Sequence, residues 1–324
     1  MNVLLEEKLE TISDIITAKY TKESHLGVLA GLSGLALFQF YYSRFLERDE
    51  YADTALAILT RCIDHINVGY TFPTYCTGIA GMGWTLEHLK AQGFIEADTD
   101  EHLAKIDKYL YTVMTEDLSH KNYDFLHGGI GYGYYFLKRY QHTTSKLLKQ
   151  RYRDYLLASI KHLNDLAETD GNIVKWVSTA KESGEKRYNV GLAHGIPSII
   201  NYLSKLYVFE DFKDETEKML RGGVNYILSA MSNTLHDFSL FPNWIKKGET
   251  PDKQQKSRLA WCYGDLGVGV SLWQASKALA DPVLGNKAIT ILKYAAKRTS
   301  PEDSLVIDAG ILYMSWLLWQ RTDL

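Results

Sequence analysis

Leu259-Ala260-Trp261-Cys262-Tyr263-Gly264-Asp265-Leu266-Gly267-Val268-Gly269 reads as a turn running into a helix. Gly264 and Gly267 stand three apart, and the apolar run 270–279 follows them. A thiol therefore sits at a backbone turn just ahead of a helix N-terminus, where first-turn amides favour an anion. Cys262 has three readings here: a ligand for a soft metal, a nucleophile, or a small buried hydrophobe at a tight turn.

The glycine spacing recurs, and the recurrence decides the fold. Gly31-Leu32-Ser33-Gly34, Gly78-Ile79-Ala80-Gly81 and Gly128-Gly129-Ile130-Gly131 each open an apolar run. Gly195-Ile196-Pro197-Ser198 keeps the first glycine and has serine at the second, and Gly310-Ile311-Leu312-Tyr313 is a degraded copy. Successive first glycines lie between 46 and 69 residues apart, a period that means stacked supersecondary units. Between them run amphipathic patterns at three-to-four spacing: Leu5, Leu9, Ile12 and Ile16, then Leu56, Leu59, Ile63 and Ile66, then Leu148, Tyr152, Tyr155, Leu156, Ile160 and Leu163. The segments after the glycines are apolar nearly all round, as in Leu35-Ala36-Leu37-Phe38-Gln39-Phe40. Such a helix is buried on every side.

Each repeat is thus a half-exposed helix, a connection, a glycine turn and a buried helix. Six recognisable helix pairs predict an all-α protein, an α/α toroid with an inner ring wrapped by an outer one. An open helical solenoid competes, but its inner helices would keep a polar binding face, and these do not. No linker divides residues 1–324, so one domain is expected. Insertions at 168–189 and 232–258 read as charged and polar loops, and long loops in a compact domain often carry function.

Composition narrows the classes. The chain is 324 residues long, 46% apolar and 23% charged, with a net charge of −3, so it has core to spare and no basic field for a nucleic-acid partner. Six prolines suit long helices. The start has no secretory pattern and no apolar run reaches membrane-spanning length. Three cysteines, odd in number and far apart, do not make a disulfide framework, and a reducing cytoplasm is expected.

In a toroid the glycine turns gather at one end, so the residues before each glycine line a common mouth. They include Cys76, Asp124, His127, His194, Trp261, Cys262 and Asp308. A ring of His, Asp and Cys at equivalent positions is hard to explain as packing. The plain alternatives remain for each residue: a hydrogen-bonded core histidine for His194, and helix caps for Asp124, Asp265 and Asp308.

Tyr123-Asp124-Phe125-Leu126-His127-Gly128-Gly129, Asn189-Val190-Gly191-Leu192-Ala193-His194-Gly195 and Trp261-Cys262-Tyr263-Gly264 together resemble the lanthionine synthetase C-like family, the cyclases of lanthipeptide biosynthesis. The resemblance runs over nearly the whole chain. It implies an α/α toroid holding one zinc, bound by the cysteine of Trp-Cys-Tyr-Gly and by a Cys-His pair in the next repeat. The metal would activate a peptide thiolate for addition to dehydroalanine or dehydrobutyrine. On this likeness Cys262 is a zinc ligand, His194 an acid/base, Asp124 a supporting or orienting acid/base, and Tyr263 a residue that positions ligand or substrate. Cys76 and His127 inherit no role. The implied partners are a dehydrated precursor peptide and a dehydratase.

The sequence departs from the pattern where the Cys-His pair belongs. Near Leu312 and Tyr313 neither residue type is present; no cysteine follows Cys262 and no histidine follows His236. The seventh helix pair is also missing, and Trp316, Leu317, Leu318 and Trp319 are expected to cover part of that gap. Three explanations stand: a frameshifted or truncated gene, a natural short form that has lost zinc, or ligands from a partner chain. The functions in play are a thioether-forming cyclase, a zinc-free binding or scaffold subunit of a synthetase complex, and a glycan-active α/α-barrel enzyme. The third would need paired carboxylates, which the glycine-turn positions do not supply.

Overall fold

A computed structural model describes residues 3–179, 184–232, 239–250, 257 and 259–298. Helices carry it. In chain order they are α1 (Val3–Lys19), α2 (Leu32–Leu46), α3 (Glu50–Asn67), α4 (Ile79–Ala91), α5 (Thr99–Ser119), α6 (Gly129–His142), α7 (Lys146–Leu166), α8 (Ile196–Tyr207), α9 (Lys213–Ser229), α10 (Asp265–Ala278) and α11 (Pro282–Lys297). Short strands lie among them: β1 (Ala167–Asp170), β2 (Ile173–Trp176), β3 (Ser178–Thr179), β4 (Lys186–Asn189) and β5 (Trp244–Lys246). The degraded Gly310 repeat, Asp308 and the 316–319 segment lie outside the described residues.

The glycine motif starts helices as expected. Gly31, Gly78, Gly128, Gly195 and Gly264 are the N-caps of α2, α4, α6, α8 and α10, and no side chain caps any of the five. The preceding loop does this work with its backbone. Leu32 and Ser33 N–H donate to the carbonyls of His25 and Leu26 at 2.9 and 3.2 Å; Ile79 and Ala80 N–H donate to Phe72 and Pro73 at 2.9 and 3.0 Å. Orphan donors of the first turn are thereby satisfied from seven residues back.

A loop that close leaves no room for side chains. A Cβ at Gly78 would lie 2.2 Å from the Phe72 carbonyl oxygen, and one at Gly195 2.3 Å from that of Asn189. At the second glycine, Gly34, Gly81 and Gly267 would meet the carbonyls of Val28, Tyr75 and Trp261 at 2.3, 2.1 and 2.1 Å. The clashing carbonyl is six residues back every time. Close backbone approach, rather than a special φ, fixes most of the motif; Gly264 adds a left-handed φ of 104°.

The chain groups into two compact units, residues 1–118 with 126–156, and residues 119–125 with 157–324. In the first, Leu32, Ala36 and Phe40 of α2 pack with Ala55, Ile58, Leu59 and Cys62 of α3. The period on α3 is the expected one, but its register is shifted: Leu56 and Ile63 are exposed. Counting only large apolar residues missed Ala55 and Cys62, which pack closely because they are small. On α1 the expected face is also only partly used. Leu5 and Ile12 are exposed, while Ile16 and Ser13 are buried, Ser13 donating to Gln39 at 2.9 Å. The α7 pattern holds through Tyr152, Leu156, Ile160 and Leu163, all buried.

In the second unit α8 packs on α9 and on α10, and α10 on α11. Nearly every residue of α8 is buried, as a helix apolar all round requires. The insertions read as loops hold antiparallel strands: β1 pairs with β2, and β4 lies between β3 and β5. They order because they bury apolar groups. Val174 lies against Gly222 of α9, and the buried Trp176 donates its indole N–H to the Leu163 carbonyl at 2.7 Å. These strands bring Asn189 to the start of the turn before α8.

Candidate functional site

The second unit gathers the four site residues read from the sequence. After β4 the chain makes the turn 190–194 into α8. The turn 259–264 leads into α10 and lies against it. Gly191 permits this contact: a Cβ there would sit 2.5 Å from the Cys262 carbonyl oxygen and 2.7 Å from the Tyr263 ring. Ala193 N–H donates to the same Cys262 carbonyl at 3.3 Å.

Asn189 joins both turns through one side-chain amide. Its Oδ1 accepts from Gly191 N–H at 2.8 Å, and its Nδ2 donates to the Tyr263 hydroxyl at 3.2 Å. The Tyr263 ring stands 6.1 Å from the His194 ring, centroid to centroid. His194 Nδ1 lies 2.6 Å from Asp124 Oδ2. Both side chains are part-exposed, 31% for His194 and 21% for Asp124, and so are open to solvent. Beside Asp124, the buried Tyr123 donates to the Trp176 carbonyl at 3.4 Å, which anchors the aspartate's segment to β2.

A carboxylate on Nδ1 holds the imidazole in one tautomer and orientation, leaving Nε2 as the nitrogen that exchanges protons. The pair therefore has the form of a proton-transfer device. Asp124 does not cap α6, whose N-cap is Gly128.

The three thiols differ. Cys62 and Cys76 are buried and Cys262 is part-exposed. Burial pushes the Cys62 thiol up to about 12. Cys76 belongs to the first unit, where its N–H donates to Leu126 and its carbonyl accepts from Leu29 and Ala30, which is a packing role. His127 is exposed in that unit.

Asp265 behaves differently from a cap. Its carboxylate is fully buried and accepts from the Leu240 and Phe241 amides at 3.0 and 3.1 Å, with Arg298 Nη1 3.1 Å away. Burial holds its carboxyl above the usual range, while the two amides and Arg298 pull the other way. The helix start gets its cap from Gly264, so the expectation of a capping side chain fails here.

The residues present do not fit a zinc held by three protein ligands. Among the described residues no three or more His, Cys, Asp or Glu side chains are grouped to hold a metal. Of the expected set the sequence supplies Cys262 alone.

The family model for lanthionine synthetase C-like protein matches residues 25–311. The chain belongs to the lanthionine synthetase C-like family. Comparison with curated proteins gives no match. Among solved structures, nisin cyclase superposes with a TM-score of 0.73 over 93% of this chain and 77% of that one, at 17% identity. That likeness gives the fold class, the α/α toroid that the glycine repeat predicts.

Asn189 is the residue sequence reading passed over. It was in plain view, two positions before Gly191 in the most specific motif, but nothing in a sequence shows which side chain reaches across to a second turn.

Proposed function

We propose that this chain forms thioether rings in a dehydrated precursor peptide, with His194 and Asp124 as its proton-transfer pair. The observation that carries this is the 2.6 Å contact between them, set beside Tyr263 and the accessible Cys262. Conjugate addition needs a proton removed from a thiol and one returned to carbon, and a histidine oriented by a carboxylate does both.

The step balances without a metal. His194 Nε2 takes the proton of the peptide cysteine, breaking S–H. The thiolate sulfur bonds to the β-carbon of the dehydroamino acid, and the double-bond pair moves toward the carbonyl as an enolate. The imidazolium then gives its proton to the α-carbon. Asp124 stabilises that imidazolium, and the Tyr263 hydroxyl, held by Asn189, is placed to orient the peptide. Family likeness makes zinc the expected activator, with Cys262 as one ligand, but these residues do not complete its site and no step here depends on it.

A dehydratase is the expected source of the dehydrated peptide. A cytoplasmic setting fits the free cysteines. Among the described residues no helix is long and apolar enough to cross a membrane.

The departure of the sequence from the Cys-His pattern near Leu312 and Tyr313 favours a second reading, a peptide-binding subunit without turnover. One experiment separates the two. Purified chain is mixed with a dehydrated, cysteine-containing peptide, and loss of free thiol is followed by mass spectrometry with and without a chelator. Cyclisation that survives chelation supports the metal-free cyclase. Binding without cyclisation supports the subunit. One tightly held zinc per chain, lost in Cys262→Ala, overturns the metal-free route.

A further inference from the structure

Asp265 is three residues after Cys262 and directly after the left-handed Gly264, yet its carboxylate faces away from its own helix N-cap. Two distant segments converge on it. Leu240 and Phe241 donate their amides, and Arg298, just past the end of α11, contributes its guanidinium. The other Arg298 nitrogen, Nη2, donates to the Ser257 carbonyl at 2.9 Å, and Ser257 N–H donates to Ser239 Oγ at 2.8 Å. Leu259, at the start of the Cys262 turn, packs with Leu266 and with Ala295 of α11.

A buried carboxylate keeps its charge only if partners replace lost water, and these partners all come from outside the turn. Cys262 and Tyr263 themselves meet the 189–194 turn through the Ala193 hydrogen bond, the Asn189 hydrogen bond, and the packing on Gly191 and His194. Those contacts set the face of the turn toward His194. They leave its C-terminal end to be held by something else.

We propose that Asp265 is a positioning residue, the clasp that fixes the Cys262–Tyr263 turn against the 189–194 turn through Leu240, Phe241 and Arg298. The reading of that turn as the site underlies the proposal's relevance to function, so its test reads the thiol and not cyclisation. Removing the carboxylate leaves Arg298 without its buried anion and frees two amides, and the turn swings on Gly264.

The full chain is alkylated with iodoacetamide in native buffer, and the three cysteines are followed separately by peptide mass spectrometry. In Asp265→Asn the Cys262 rate rises roughly threefold or more while Cys62 and Cys76, both buried, stay as slow as in wild type. Arg298→Met moves Cys262 in the same direction and serves if the aspartate variant does not fold. The double variant adds little to the larger single effect, as two members of one clasp require. An unchanged Cys262 rate, or a rise at all three cysteines together, overturns the proposal. Faster Cys262 labelling with full cyclisation keeps the clasp and removes the turn from the reaction.

Discussion

His194 Nδ1 and Asp124 Oδ2 meet at 2.6 Å although the residues are 70 positions apart in the chain. Neither contact partner lies in a helix. His194 ends the turn before α8, and Asp124 precedes the glycine pair that opens α6. Loss of either therefore spares the helices. His194→Ala is expected to lower the cyclisation rate by roughly 10²- to 10⁴-fold with little change in peptide affinity. Asp124→Asn keeps the geometry but misorients the proton and is expected to fall in the same range. Single-turnover rates and peptide binding measured on both variants check this; a variant cycling at wild-type rate removes its residue from the chemistry.

Gly191 is where the two turns touch, so it is the most sensitive point of the site to added volume. Alanine there puts a methyl group on the Cys262 carbonyl and the Tyr263 ring. Overpacking of this kind costs about 1–3 kcal/mol. Gly191→Ala should lose that much in urea unfolding and should cyclise poorly even when folded. A variant with wild-type stability and rate would show that the turns part easily.

The helical layout was legible in the sequence because backbone sterics write themselves into glycine. Five of the motif glycines head a helix, and at Gly78 and Gly195, as at the second glycines Gly34, Gly81 and Gly267, the carbonyl that demands the glycine is local, six residues back. His194, Asp124, Tyr263 and Cys262 were picked out by motif context, and what the structure adds is the geometry that sets His194 beside Asp124 and Tyr263. The Asp265 clasp and the Asn189 bridge were not. Both depend on partners tens of residues away, and a buried aspartate at a helix start looks the same in sequence whether it caps or ties. The insertions misled for a related reason: their strands are short and charged, and Val174 and Trp176 reveal themselves only once α9 is beside them.

Arg139 on α6 anchors the first unit. Its side chain is fully buried beside Glu87, Asp107 and Tyr152, and the Tyr135 and Tyr152 hydroxyls each donate to Asp107 at 2.6 Å. Arg139→Met keeps most of the volume but strands two buried carboxylates. Removing one partner of such a pair costs about 3–5 kcal/mol. Lysine should not rescue, since one ammonium cannot reach the acceptors that the guanidinium fork serves. Equilibrium unfolding of both variants checks this, and a loss below about 1 kcal/mol would show that the carboxylates rehydrate without cost.

His88 gives the first unit a pH response of known sign. It is buried on α4, stacked on Trp84 at 5.0 Å, with Nε2 2.8 Å from the Tyr41 hydroxyl. Burial first, then the charges of Lys138 and His142, lowers its pKa from 6.5 to about 4. Between those values the unfolded chain binds a proton at this position and the folded chain does not, so acid favours unfolding. The contribution is fully present above pH 6.5 and is lost as pH falls toward about 4, amounting to about 3 kcal/mol. His88→Gln keeps a hydrogen-bonding group near Tyr41 and removes the titration. Unfolding free energies of wild type and variant, measured from pH 7.5 to 4.5, should converge as the pH drops, because only wild type carries this linkage. Parallel curves would mean that His88 takes up its proton in the folded state, and the stacked, buried geometry would then have to open near neutral pH.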